Sequence, residues 1–140
     1  MTRYPKLEDV LIYEGQYFIA EWYYTESGQM PAYAYYQEMS ETDQQRFDYV
    51  AKYFCENRPG LMLPRTIYRA EDAAHKIYAF KPGAQRFFNF TTEGAKVIVT
   101  NAYRKHSDQM TKQDLEHLKL SARYRDDYRK RVQEMTYYEN

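Results

Sequence analysis

The residues of this chain best suited to chemistry are cations and an imidazole gathered around two short turns. Arg86 opens a segment that reads as an interior strand, where a long charged side chain is disfavoured unless something requires it. Its planar, permanently charged fork matches the geometry of a phosphate. The alternative is an arginine whose stem packs on tyrosines while its head reaches a surface carboxylate. Lys81 enters the same turn at Pro82-Gly83, so the two side chains can face one phosphate; an ordinary turn lysine is the competing reading. Lys105 and His106 leave a later strand together. Lys105 reads as a phosphate contact. His106, with a reference pKa of about 6.5, can trade a proton at neutral pH, although exposed loop histidines are common.

A second group could hold a nucleic acid in place. Tyr103 offers a ring on which an unpaired base can stack, but in a chain with 17 tyrosines core packing is the heavier reading. Arg104 adds a cation beside it, and His75, just before a predicted strand, is placed to face the same cleft. Lys119, Arg123 and Arg129 fall along one side of a C-terminal helix. They read as a grip on a phosphate backbone or as a solvated helix face, and His117 among them as structural or solvated. Cys55 is the one cysteine, which excludes an internal disulfide framework and a thiolate zinc site built from this chain alone. It is expected to be a buried, inert thiol.

Length and composition fit one domain with a core rich in aromatic contacts, because the 44% hydrophobic fraction leans heavily on tyrosine. The net charge is zero but unevenly spread. Residues 1–64 hold 5 Lys/Arg against 10 Asp/Glu, whereas residues 65–131 hold 15 against 8. Phosphate binding depends on local potential, so a basic functional half on an acidic scaffold is one reading, and two solvated faces of opposite sign the other. No apolar run reaches signal-peptide or membrane-spanning length, so a cytoplasmic home without membrane contact is expected.

The elements that must position these residues can be read from periodicity. Residues 17–24 are aromatic and extended, a first strand. Pro31 suits the first turn of a helix to about Met39. Thr42, with Gln45 three residues on, suggests a capping box for a second helix, whose buried face is Phe47, Val50, Ala51 and Phe54. Together they predict a helical hairpin. Residues 76–81, 86–91 and 96–103 predict three antiparallel strands joined by Pro82-Gly83 and Thr92-Glu-Gly94. Thr111 with Asp114 caps a last helix, expected to bury Leu115, Leu118, Ala122 and Tyr128 and to turn Lys119, Arg123 and residues 129–131 outward. The expected class is α+β, in the order β-α-α-β-β-β-α, with an antiparallel central sheet, the helical hairpin on one side and a C-terminal helix.

Three pieces in this order carry a family resemblance: Tyr78-Ala-Phe-Lys81, then Arg86-Phe-Phe-Asn-Phe, then Ala102-Tyr-Arg-Lys105, followed by a polar loop and the Thr111-capped helix. The series resembles the RelE/ParE toxin superfamily, in its HigB-like, phage-associated branch. The likeness covers residues 16–131, leaving residues 1–15 as an extension and 132–140 as a tail. It implies a toxin of a toxin–antitoxin pair that cleaves mRNA on the ribosome, without metal or cofactor, by way of the RNA 2′-hydroxyl. Arg86, Lys105, His106 and Lys81 would then be catalytic, and Tyr103, Arg104, Lys119, Arg123 and His75 would contact RNA. The implied partner is a small helix-turn-helix antitoxin. The superfamily also implies two alternatives: a ParE-like protein that binds DNA gyrase and cleaves nothing, or an inactive prophage-derived interaction protein.

Overall fold

The computed structural model describes residues 7–59, 63–72, 74–107 and 109–138. The chain begins with a single helical turn, α1 (Leu7–Val10), then an edge strand, β1 (Leu11–Glu14), and its neighbour β2 (Ile19–Trp22). Two helices follow, α2 (Pro31–Gln37) and α3 (Glu41–Cys55), then four strands, β3 (Tyr68–Asp72), β4 (Ile77–Phe80), β5 (Gln85–Thr91) and β6 (Lys96–Arg104), and a last helix, α4 (Lys112–Gln133). The strands form one six-stranded sheet in the order β1-β2-β6-β5-β4-β3. It is α+β and mostly antiparallel.

One pair departs from the expected antiparallel sheet. β2 runs parallel to β6, from Ile19 opposite Lys96 to Trp22 opposite Val99. The connection between them carries both helices and three strands, which is ample length for the chain to return in the same direction. The β4–β5 turn follows the sequence reading, with Gly83 in the left-handed region at φ +65°. Two strands have no counterpart in the predicted order. β1, within the stretch read as an extension, pairs with β2, and β3 pairs with β4.

Side chains alternate between the two faces of the sheet. On the first, Ala20, Trp22, Phe80, Phe87, Val97 and Val99 meet α2 and α3 through Ala32, Phe47, Val50, Ala51, Phe54 and Cys55. The four-residue stripe expected on α3 is buried, and so is the thiol, whose pKa burial pushes up to about 12. Trp22 stacks on Phe47 with centroids 5.3 Å apart and lies 5.5 Å from Tyr33 and Tyr36. Such aromatic pairs contribute about 0.5–1.5 kcal/mol each beyond their buried area. The N-cap of α3 is Ser40, whose hydroxyl accepts from the Asp43 amide, and not the expected Thr42. Helix formation simply starts one residue before Thr42 and uses the earlier hydroxyl.

The second face meets α4. Thr111 and Asp114 form the predicted reciprocal cap. Of the expected stripe, Tyr128 is buried and Leu118 and Ala122 pack against Ile77, Ala79, Phe88 and Tyr103, but Leu115 is exposed and the buried side also takes in Asp114, Ser121, Arg125 and Arg131. The reason lies in the opposing strand. β6 presents Thr100 and Asn101 there, and these bond to the Ser121 hydroxyl at 2.7 Å and the His117 carbonyl at 3.1 Å. A polar sheet surface selects a polar helix face. Further along, the Arg131 guanidinium holds Asp127 at 2.6 Å and lies over the rings of Tyr23, Tyr24 and Tyr137. Tyr137 and Tyr138, in the stretch read as a tail, dock here, with the Tyr24 amide donating to the Tyr137 hydroxyl at 3.0 Å. Among the described residues, no helix is long and apolar enough to cross a membrane.

Candidate functional site

The site candidates meet where the β4–β5 turn, the start of β3 and the end of β6 come together. Arg86 sits opposite Tyr103 in the β5–β6 ladder. The Lys81 amide donates to the Ile67 carbonyl at 2.8 Å, and the Lys105 amide to the Ala84 carbonyl at 2.9 Å, tying all three segments to the turn. Alternation puts Arg69, opposite Ala79, on the same face as Phe88, Tyr103 and Arg86. The Arg86 guanidinium donates to the Gly83 and Gln85 carbonyls, both at 2.9 Å, which fixes its head against the turn.

Lys81 reports the electrostatics of this corner. Its ammonium donates to the Arg65 carbonyl at 3.0 Å. Its pKa is held below the ordinary lysine value, first by burial and then by the charges of Arg86, Arg69 and Arg65, with Glu71 alone opposing them. Four cations therefore surround one carboxylate. Repulsion among like charges that burial cannot relieve is what a bound polyanion would remove.

Glu71 occupies an irregular position. Ala70 pairs with Tyr78 and Asp72 with Ile77, so Glu71 is an extra residue bulged out of β3. Bulges re-aim side chains and are frequent beside functional sites. The Glu71 carboxylate acts on both Lys81 and Tyr103, yet it makes no hydrogen bond or ion pair with any described residue.

Two expected contacts are committed elsewhere. Tyr103 is only 8% exposed, stacked on His117 at 4.2 Å with the rings 11° apart. Burial first, and then the nearby Asp114 carboxylate, raise its hydroxyl well above the usual tyrosine range. It is packed away from any base. Lys105 is ion-paired to Asp114 at 2.9 Å, and that carboxylate also accepts from the Thr111 amide at 2.7 Å. Burial alone would raise the Asp114 pKa, but the bonds from Tyr103, Thr111 and Lys105 hold it well below the usual carboxylate range. The Lys105 charge is thus neutralised within the fold. His117 is partly buried, and burial lowers its pKa against the opposing pull of Asp114 and Glu116.

The remaining candidates divide among three places. His106 is exposed just beyond β6 and makes no hydrogen bond or ion pair with any described residue. Arg104 is exposed on the opposite face, where its charge acts on Tyr35 of α2, so it stands apart from Arg86. His75, Lys119 and Arg123 share a groove of about 740 Å³ with Asp72, Leu115 and Leu118. There the His75 ring is held by Asp72 at 2.7 Å, and its carbonyl accepts from buried Arg125. The structure thus brings Lys81, Arg86 and the end of β6 to one corner and sets a second basic group along α4. Sequence reasoning missed Arg65, Arg69 and Glu71. The alternating Arg69-x-Glu71 pattern was the available signal, obscured because that stretch was assigned no strand.

Compared with models of known protein families and with characterised proteins, the chain finds no match.

Proposed function

We propose that this chain is a RelE/ParE-like toxin of the HigB-like branch that cleaves mRNA on the ribosome. One observation carries the reading: Arg65, Arg69 and Arg86 all act on the Lys81 ammonium at one corner of the fold. The chain order β2-α2-α3-β4-β5-β6-α4, with β1 and β3 added at the two edges and β2 parallel to β6, is compatible with that reading. Chemically, the RNA supplies its own nucleophile, the 2′-hydroxyl, and negative charge grows on the phosphorane oxygens as the 5′-oxygen leaves. Fixed guanidinium and ammonium groups stabilise that charge. Arg86 is the principal stabiliser and Lys81 assists it, with His106 as the candidate proton donor to the leaving side. A small antitoxin, of helix-turn-helix type, would silence the protein by covering this corner.

A second reading has its own support. Lys105 is spent on Asp114 and Tyr103 on His117, which leaves fewer catalytic groups than the nuclease scheme expects and favours a ParE-like protein that binds gyrase without cleaving. Primer extension on a reporter message in cells expressing the chain decides between them. Arg86→Ala should reduce cleavage by on the order of 100- to 1000-fold, with circular dichroism checking that the turn survives. Equal cleavage by both proteins removes Arg86 from the reaction. Growth arrest without any cleavage gives the gyrase reading.

A further inference from the structure

One pocket lies away from the basic corner, at the other end of the β5–β6 ladder, where Thr91 sits opposite Val97 rather than Arg86 opposite Tyr103. The β5–β6 turn and Lys96 form one wall, and Tyr128, Arg129 and Val132 of α4 form the other. After α4 the chain turns back through Met135, in the left-handed region at φ +60°, and brings Tyr138 into the lining. The space is about 700 Å³, within the range of about 300–1,000 Å³ usual for small-molecule sites.

Its wall carries an ion pair that folding does not require. The Glu21 side chain is only 1% exposed. One of its oxygens accepts from the Tyr138 hydroxyl at 2.7 Å and the other meets the Lys96 ammonium at 3.0 Å. The Tyr128 and Tyr138 hydroxyls, 2.7 Å apart, extend the network. Desolvating such a pair offsets what its attraction returns, and apolar side chains of the same volume would pack as well. What the network does achieve is position. It holds the Lys96 ammonium at the pocket wall, 4.2 Å from the centre of the Tyr138 ring. An ammonium has three protons, and Glu21 is its one acceptor among the described residues. Arg129, exposed on the α4 wall, lies 5.8 Å from the Phe90 ring and has no hydrogen bond or ion pair with any described residue.

We infer that this pocket binds a small organic acid, a single carboxylate on an apolar body. Charge sets the class. Lys96 and Arg129 bring two positive charges and buried Glu21 answers one, while Glu93 of the turn is exposed to water and screened by it. The remainder suits one negative charge better than two. A guanidinium fork takes a carboxylate through two parallel bonds, and the Lys96 ammonium supplies a further donor. The rings of Tyr128 and Tyr138 and the Val132 side chain receive the apolar body. The inference does not depend on the RNA-cleaving reading.

The test titrates the full chain with 3-phenylpropionate while its backbone amide resonances are followed by NMR. Saturable shifts should centre on residues 91–96 and on the end of α4. The neutral 3-phenylpropionamide should bind at least about 10-fold more weakly, and so should acetate, which lacks the apolar body. Lys96→Met strands the buried Glu21 carboxylate and can unfold the chain, so two exposed positions carry the test. Arg129→Gln should weaken binding about 10-fold. Val132→Trp, which fills the pocket, should abolish it, with circular dichroism showing that both variants fold. Equal affinity for acid and amide would overturn the carboxylate assignment. Shifts centred elsewhere, unchanged binding in both variants, or no saturable shift with the acid would overturn the site.

Discussion

Asp114 does more for the corner than any cation in it. It closes the cap of α4, neutralises Lys105 and faces the Tyr103 hydroxyl. Its substitution by Asn keeps the shape and removes the charge. Asp114→Asn should cost about 2–3 kcal/mol, the usual loss for hydrogen bonds to a buried charged group, seen as a lower midpoint in chemical denaturation at pH 7. The pH dependence has a definite sign. The folded pKa is depressed, so the stabilisation is fully present above the unfolded value of about 3.9 and fades as pH falls through it toward the folded one. The gap between wild type and Asp114→Asn should therefore be widest near neutrality and shrink in acid; a constant gap would show that the ion pair contributes nothing. At this scale the sequence was informative where a residue broke its local rule. Arg86 and Lys81 stood out as cations at a strand turn. Packing was already the heavier reading for Tyr103, but Lys105 carried no sign of being committed, because its partner Asp114 lies on another element and meets it only in the fold.

α4 shows how periodicity can place an element and still mark only part of its buried side. Its start and cap follow from Thr111 and Asp114, and Leu118, Ala122 and Tyr128 face the core, but Ser121, Arg125 and Arg131 are buried beside them, in part because the sheet beneath offers hydroxyl and amide groups. Burying Arg131 instead makes the end of the helix depend on one ion pair. Arg131→Ala should destabilise the protein by about 2–3 kcal/mol, because it removes the cation that holds Asp127 and a donor to the Tyr24 carbonyl. Arg129→Ala, two residues away and exposed, should stay within about 0.5 kcal/mol. Denaturation curves for the two variants test this directly, and equal losses would reject the buried role. The strands show the complementary limit. β4, β5 and β6 were legible from their aromatic and β-branched runs, whereas β1 and β3 are edge strands of 4 and 5 residues that exist through pairing with a neighbour. Such strands carry little pattern of their own.

For the molecule as a whole, a net charge of zero conceals a basic corner, a second basic group along α4 and an acidic N-terminal half. Binding to unstructured RNA should depend on the first of these. With about four phosphates engaged, raising salt from about 50 to about 200 mM should weaken binding on the order of 50-fold. Replacing Arg69 and Lys81 together by Ala should flatten that dependence, as fluorescence anisotropy with a labelled single strand would report; an unaltered slope would place the RNA elsewhere. The sheet order has a separate consequence for how the protein comes into being. Among the described strands β6 is the last to be synthesised, yet it lies between β2 and β5 and joins the two ends of the sheet. A nascent chain that has emerged as far as residue 91 holds two disconnected fragments, a β1–β2 ribbon and a β3–β4–β5 meander. Neither presents the assembled corner. Any activity seated at that corner is therefore withheld until β6 has been made.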